Sequence, residues 1–511
     1  MRAAMKFVRA IALAFPCMAA AQNLPPGYPA ITLEEAVETA LVNNRQLQIE
    51  RINPELARLT LKASYGYYDP FFTTQVQQES ASDTGGFDPA NFSADAIYEA
   101  DSEVVNSGLT GFLPSGLSYT LGGTYAHSDG TRNFLNFDSH KVGVNITVSQ
   151  PLLKNFWIDL PRWQIQVNKR NLKISELGVE YVAATVISLA EQGYHDLVYA
   201  WEYLRVQQAL LGTRQEFLRG IRRQIELGMM TALDEKLARS QAASIETALV
   251  AASNVVAQAS NNLQTLMGIE EMSWSDVPLK PESPVLLVPQ IFDRPASWRE
   301  GLRKRADFRQ LAINLQNAEL TVKYRRNQLF PSLNLIGSYG LRGADAIQAF
   351  PPDEPRASRS AAFREIHDQD APNSMVGVLF SIPLTRTSER ANFKASKELE
   401  RQAELLLKQK EELILREIAD AIDLARFSFE RARSAREAAA AASEAQEAEE
   451  QRLQGGAGSI FLVLQAQTDA ANSKIAELLA KRDYNKALSQ LYFNEGTLLE
   501  RKSIELNFRG D

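Results

Sequence analysis

The sequence predicts a mixed α+β chain, mainly α, that is internally duplicated and built on very long antiparallel helical hairpins with a few strands in each half. Three observations carry this prediction. Segments of the two halves superpose at constant shifts, apolar positions recur at helical spacing over more than sixty residues, and strictly alternating stripes interrupt the helices at matching places.

The duplication comes first. At a shift of 261, Leu41 falls on Leu302, Leu47 on Phe308, Ala57 on Ala318, Leu59 on Leu320 and Pro70 on Pro331. At a shift of 228, Gly228 falls on Gly456, Leu233 on Phe461, Ala238 on Ala466 and Gly268 on Gly496, so 40 residues separate the glycines in both halves. Two direct repeats with the same element order are expected, 22–268 and 297–496, joined by a linker at 269–296 and followed by a tail at 497–511. Their strand regions are expected near 66–151 and 330–383.

Each repeat opens on a helix, at about Glu34 to Ala63 and Trp298 to Gln328, where apolar spacing is helical. From Ser388 to Leu453, Ile414, Ile418, Ala421, Ala425, Phe429, Ala432 and Ala439 mark a seam in steps of three and four. At 1.5 Å per residue such a helix is about 100 Å long. Its counterpart runs from about Pro161 to Leu227. The returning helices, Thr231 to Met267 and Ser459 to Phe493, are half that length. Two shorter helices stacked end to end would therefore line one long one. An isolated coiled-coil rod is the plainer reading of the helices alone.

The strands argue against a rod. Val142, Val144, Ile146 and Val148 alternate with Gly143, Asn145, Thr147 and Ser149, and Val376, Val378, Phe380 and Ile382 repeat the pattern. Such stripes cover a core in a soluble sandwich and face lipid in an outer-membrane barrel. No other layer is on offer to cover them, which favours lipid. Two strands per half cannot close around a lumen, and open edges in lipid leave backbone groups unpaired, so several subunits must pool strands in a shared transmembrane β-barrel. Leu109–Leu113 and Leu117–Tyr125, flanking Pro114-Ser115-Gly116, read as an added hairpin, either in the wall or outside it. The stretch from Phe350 to Asp370 reads as an exposed loop.

Composition sets the compartment. Arg2, Lys6 and Arg9 precede an apolar run from Ala10 to Ala20 that is too short to span a membrane, and Ala19-Ala20-Ala21 supplies a cleavage pattern, so 1–21 reads as a signal peptide. Cys17, the only cysteine, lies inside it; lipidation there is a rival that Pro16 disfavours. Removing the signal takes the net charge from −7 to −10, which argues against nucleic acid as a partner. With no cysteine left and His127, His140, His195 and His367 scattered without shared ligand spacing, no catalytic residue, metal or cofactor is expected, and the chain reads as no enzyme.

Thr32-Leu33-Glu34-Glu35-Ala36 with Leu41, Asn43 and Asn44, then Leu329-Phe330-Pro331-Ser332-Leu333, then Ser381-Ile382-Pro383-Leu384, resemble the TolC-like outer-membrane efflux proteins over nearly the whole mature chain. The resemblance implies a homotrimer in the bacterial outer membrane, with a shared twelve-stranded barrel and a twelve-helix periplasmic α-barrel. It also implies a passive exit duct for a tripartite efflux or type I secretion system, with a periplasmic adaptor and an inner-membrane pump or secretion transporter as partners. A non-channel adaptor or coiled-coil tether is the alternative.

Family tunnels close at the hairpin tips, which here fall at Leu227-Gly228-Met229 and Gln454-Gly455-Gly456-Ala457-Gly458. Glycine suits a sharp reversal that needs positive φ. Asp234 occupies the position of an aspartate found in some members, with a plain helix-start charge as the competing reading. Where some members carry an arginine and two aspartates, this chain has Gly458, Leu462 and Gln465. A charged latch is thereby put in doubt, and a hydrophobic constriction at Leu462 is the expectation that replaces it.

Overall fold

The computed structural model describes residues 29–504 apart from 84–86, 89–92, 95–97, 133–134, 229, 270–276, 285 and 350–355. The signal peptide, Cys17 and Met229 therefore lie outside the described residues.

In chain order the elements are β1 (Ala30–Ile31), α1 (Leu33–Asn43), α2 (Arg45–Tyr65), β2 (Phe71–Asp83), β3 (Phe87–Asp88), β4 (Ser93–Ala94), β5 (Tyr98–Phe112), β6 (Ser118–Arg132), β7 (Leu135–Pro151), α3 (Leu160–Glu226) and α4 (Ala232–Met267). Then follow β8 (Lys280–Pro281), α5 (Arg294–Lys304), α6 (Ala306–Asn327), β9 (Ser332–Ala349), α7 (Arg359–Asp368), β10 (Pro372–Ser381), α8 (Thr387–Gln454) and α9 (Ile460–Asn494). The long helices, α3 and α8, have 67 and 68 residues, and the returning ones, α4 and α9, have 36 and 35. None of the helices described is long and apolar enough to cross a membrane.

The chain divides into two compact units. The first comprises the start of the chain to Arg45, Ala184–Asp293 and Ala419–Phe493. It holds both hairpin turns and both returning helices. Its core is small-residue packing between long and returning helices: Ala200 and Leu204 against Ala252 and Val256, and Ala425 against Tyr484, Ala487 and Leu488. Alanine lets the helix axes approach, and the aromatic rings beside it fill the remaining volume. The described part of the expected linker is held in place. Trp201 Nε1 donates to Leu279 O at 2.7 Å, Tyr484 OH donates to Val288 O at 2.6 Å, and β8 pairs in parallel with β1.

The second unit comprises Gln46–Ala183, Arg294–Ile418 and the chain from Asn494. It contains an antiparallel sheet in the order β10-β9-β7-β6-β5-β2. The resemblance implied four strands per chain, twelve over three chains; the sheet has six. The added hairpin is the cause, because it contributes to the sheet itself as β5 and β6, between β2 and β7. Its turn lies against the start of α3, where a Cβ on Gly116 would meet Arg162 Nη2 at 2.9 Å, and Gln150 Nε2 at the end of β7 donates to Ser115 O at 3.3 Å. The stretch expected as a loop near 350–370 is partly helical. Ser358 caps α7, its hydroxyl accepting from Ala361 N.

Each opening helix, expected as one piece, is broken by a single extended residue. Asn44 (ψ 119°) separates α1 from α2, and Arg305 (ψ 122°) separates α5 from α6. The reason is the same in both places. Gly268 ends α4 at φ +65°, and a Cβ there would lie 2.3 Å from Asn43 O; Asn44 Nδ2 donates to Leu266 O at 2.9 Å. In the second unit Gly496 follows α9 at φ +68°, and a Cβ there would lie 3.0 Å from Arg305 N. In each unit a left-handed glycine thus lies against the break in an opening helix, backbone to backbone.

Arg305 at its break is buried and bound. It pairs with Asp307 at 2.7 Å and Glu417 at 2.5 Å, and Lys410 completes the group at 2.7 Å from Asp307. Burial alone would raise the Asp307 carboxyl, but the hydrogen bonds from Arg305 and Lys410 outweigh it and hold Asp307 below its ordinary value.

Candidate pore wall and hairpin tips

Directly paired residues on an antiparallel sheet share a face, so the register decides which side each stripe occupies. One row runs Phe72, Leu109, Leu121, Ile146, Tyr339 and Ser374 across all six strands. On one side the adjacent row of that face is Thr74, Ser107, Gly123, Val144 and Leu341, followed by Val76, Val105, Tyr125 and Val142, and on the other it is Tyr119, Val148, Gly337 and Val376. Phe380 and Val378 follow through Leu333 and Leu335. The two stripes seen in the sequence therefore lie on one mainly apolar face. The opposite face carries rows such as Thr73, Gly108, Gly122, Asn145, Gly340 and Asn373.

Most of the apolar face is bare. Val144, Ile146, Val376, Val378, Phe380 and, just past β10, Ile382 are exposed. Val142 departs from the expectation and is buried, next to the place where α7 lies on the sheet: a Cβ on its partner Gly343 would meet Ala362 O at 2.0 Å. Both sheet edges, β2 and β10, are exposed along nearly their whole length.

In the first unit the two hairpin tips pack on each other. Ile221, Ala238, Ile460 and Leu464 are buried together, with Leu218, Ile225, Leu237 and Leu453 against them. The turns use Gly228 at φ +74° and Gly456 at φ +76°, as the reversal requires. Gly458 has a different reason: a Cβ would lie 2.6 Å from Leu453 N. Asp234 acts at the helix start. Its carboxylate accepts from Thr231 N at 3.0 Å and Thr231 Oγ1 at 2.8 Å, the first of these bonds doing most to hold its pKa below the ordinary carboxylate value.

On α9 the buried side is Ile460, Val463, Leu464 and Gln467, which leaves Phe461, Leu462 and Gln465 facing outward. Gln465 donates to both carboxylate oxygens of Asp469, at 3.0 and 3.2 Å. Leu462 is 43% exposed, yet Phe461 (59%), Leu227 (73%) and Leu233 (74%) present more apolar surface at the same tips. These three were not singled out as site residues from sequence, although their place beside the turn glycines was a signal. Deeper between the hairpins Arg214 is 1% exposed, donating to Leu464 O at 2.5 Å and Thr468 Oγ1 at 2.7 Å. Its Nε and Nη1 have no hydrogen-bond partner among the described residues, and burial lowers its pKa.

Residues 299–497 match the family described as "Outer membrane efflux protein". No curated protein matches the chain. Among solved structures it is similar to a membrane protein from Pseudomonas aeruginosa, at 18% identity and a TM-score of 0.64, covering 91% of this chain and 92% of that one. It is also similar to the outer membrane protein VceC from Vibrio cholerae (15%, TM-score 0.61, 91% and 96%) and to the MtrE outer membrane channel of Neisseria gonorrhoeae in its open state (16%, TM-score 0.62, 91% and 88%). At these identities the likeness is one of fold.

Proposed function

We propose that this chain is an outer membrane efflux protein, the family that its residues 299–497 match, and that it is one subunit of a homotrimeric outer-membrane duct. The energy for export would come from an inner-membrane pump or secretion transporter, reached through a periplasmic adaptor. The single observation that carries the reading is the six-stranded sheet with one mainly apolar, largely bare face and two open edges. In hydrocarbon each unpaired backbone group costs several kcal/mol, so the β2 edge of one subunit must meet the β10 edge of the next. Six strands alternate in direction, so that junction is antiparallel and the closed wall has no defect.

Three subunits would contribute eighteen strands by this count. Barrels of roughly that size leave an aqueous channel, with polar and small side chains toward water and apolar ones toward lipid. The matching element lengths support two structural repeats, 22–268 and 297–496, each supplying one long hairpin to a periplasmic wall. The exposed apolar residues at the tips, Leu227, Leu233, Phe461 and Leu462, support a constriction made by hydrophobic closure rather than by ion pairs. The residues proposed at that gate are Gly228, Asp234, Gly456, Gly458, Leu462 and Gln465, with Phe461 added.

The test is single-channel recording of the signal-processed protein in a planar bilayer, with its oligomer mass measured in the same detergent. Long-lived conductance from a trimer is the expected result. A monomer without conductance would overturn the duct and leave the tether.

A further inference from the structure

At the ends of β6 and β7 remote from the turn that joins β5 to β6, a group of polar side chains lies beyond the apolar rows of the sheet. His127 is paired directly with His140 across the two strands, and Asp129 with Asp138. All four share the face that carries Tyr125 and Val142, one step beyond that last apolar row. His127 Nε2 lies 3.0 Å from Asp138 Oδ1 and 3.9 Å from Asp129 Oδ1. The two imidazoles are stacked, with centroids 4.4 Å apart and planes 19° apart. One donor atom from each of His127, Asp138 and His140 lies within 4.8 Å of the others.

These distances suit a small cation. Zinc held tetrahedrally at about 2.0–2.2 Å spaces its ligand atoms roughly 3.3 Å apart. The His127–Asp138 pair is already near that spacing, and a modest side-chain rotation would draw in His140. The far sides of the ligands are held as well. Asp138 Oδ2 accepts from Ala357 N at 2.9 Å, and His140 Nδ1 is 3.0 Å from Tyr125 OH. Tyr125 is in turn fixed by Arg359, whose Nε donates to its hydroxyl at 3.2 Å and whose guanidinium lies 4.9 Å from the ring centre. Outer bonds of this kind set the orientation and basicity of metal ligands. A histidine–aspartate hydrogen bond alone would account for His127 and Asp138. It would not account for a second imidazole stacked on the first with its Nδ1 engaged, which turns Nε2 into the atom His140 can offer. Two carboxylates, Asp129 and Asp138, are also set directly opposite each other, an arrangement that costs stability unless a cation lies near them.

We propose that His127, Asp138 and His140, with Asp129 as a fourth ligand, form a binding site for a borderline divalent metal ion, of which zinc is the probe. Imidazole with carboxylate suits zinc, nickel and copper(II) better than magnesium or calcium. The bound ion would tie β6 to β7, while the other oxygen of Asp138 holds the segment that leads into α7. The site does not depend on the duct reading, because every ligand comes from one hairpin of one chain.

Full-length protein carrying a tag without histidines is purified in detergent, stripped with EDTA, equilibrated with Zn²⁺ and analysed for metal content, with affinity measured by calorimetry. One Zn²⁺ per chain is expected. His127→Ala and His140→Ala each abolish it, His367→Ala leaves it intact, and Tyr125→Phe weakens binding about 10- to 100-fold. Cobalt(II) in place of zinc gives visible ligand-field bands that disappear in His140→Gln. That variant is milder, and its circular dichroism reports whether the sheet is intact, so loss of metal from a folded sheet is separable from misfolding. Wild-type protein that binds no Zn²⁺, or a His127→Ala/His140→Ala protein that binds as much as wild type, overturns the proposal.

Discussion

Replacing Gly268 by alanine should damage the protein more than the same change at its counterpart, Gly496. Both residues sit in the left-handed region, at φ +65° and +68°, where a Cβ costs about 1–2 kcal/mol. The surroundings differ. The new methyl at 268 would lie 2.3 Å from Asn43 O and 2.7 Å from its carbonyl carbon, so backbone must move. Overpacking of that kind adds roughly 1–3 kcal/mol. At 496 the nearest atoms are at 3.0–3.2 Å, and a few tenths of an ångström suffice. The expected losses are therefore about 2–5 kcal/mol for Gly268→Ala and about 1–2 kcal/mol for Gly496→Ala. Native-state hydrogen exchange at the last turns of α4 and α9 reads these values locally, at tenfold per about 1.4 kcal/mol. Exchange should speed up about 30- to 3,000-fold at α4 and about 5- to 30-fold at α9. Asparagine tolerates the left-handed conformation, so Gly496→Asn should exchange almost as wild type while Gly268→Asn remains fast. Equal acceleration in the two alanine variants would refute the claim that backbone abutment, and not dihedral preference alone, breaks the opening helices.

Acid should loosen both units. The buried carboxyl of Glu477, like that of Asp307, is pushed up by burial and held down more strongly by hydrogen bonds, here from Lys474 and Lys481. A carboxylate whose folded pKa lies below its unfolded one contributes stability that is present above the unfolded value and is lost as pH falls through the folded one. Stability should be flat down to about pH 5 and decline from about pH 4, and Asp307→Asn should flatten part of that decline in urea titrations at stepped pH. Arg214→Met should raise the urea midpoint, by about 1–3 kcal/mol in free energy, since it removes a buried and incompletely bonded guanidinium while keeping its bulk; a lower midpoint would mean that its two hydrogen bonds outweigh its desolvation. Leu462→Asp and Phe461→Asp should each increase resting conductance in planar bilayers by wetting the constriction, and unchanged current in both would remove the tips as the gate.

The features legible in the sequence were those with a period. Helical steps of three and four gave α3 and α8 nearly to their ends, and the glycine spacing placed both turns, because turn chemistry is local. Alternation gave the stripes on β7 and β10, but not that they share one face. That follows from β9 pairing with both, which no local pattern encodes. The breaks at Asn44 and Arg305 were missed because nothing in either residue forbids a helix; the interruption is imposed by a distant glycine. The added hairpin is legible only at Leu109–Leu113 and Leu117–Tyr125 and without a place, since register and not composition puts β5 and β6 inside the sheet. At the tips, attention to the charged positions of relatives drew the reading to Leu462 and away from Phe461 beside it. The His127–His140 and Asp129–Asp138 pairs became visible only when two segments with no common spacing were laid side by side.

The place of the extra hairpin has a consequence for how such a protein can change in evolution. On the duct reading, strands β5 and β6 enter between existing neighbours, so the outermost strands remain β2 and β10 and the edges proposed to join subunits are untouched. An even insertion also preserves the up-and-down parity that closure of the proposed barrel demands. The girth of such a barrel could thus grow by two strands per subunit in one genetic step, with no compensating change at the junctions and no new symmetry. A single inserted strand has no such route, because it would set like-directed strands side by side at every seam.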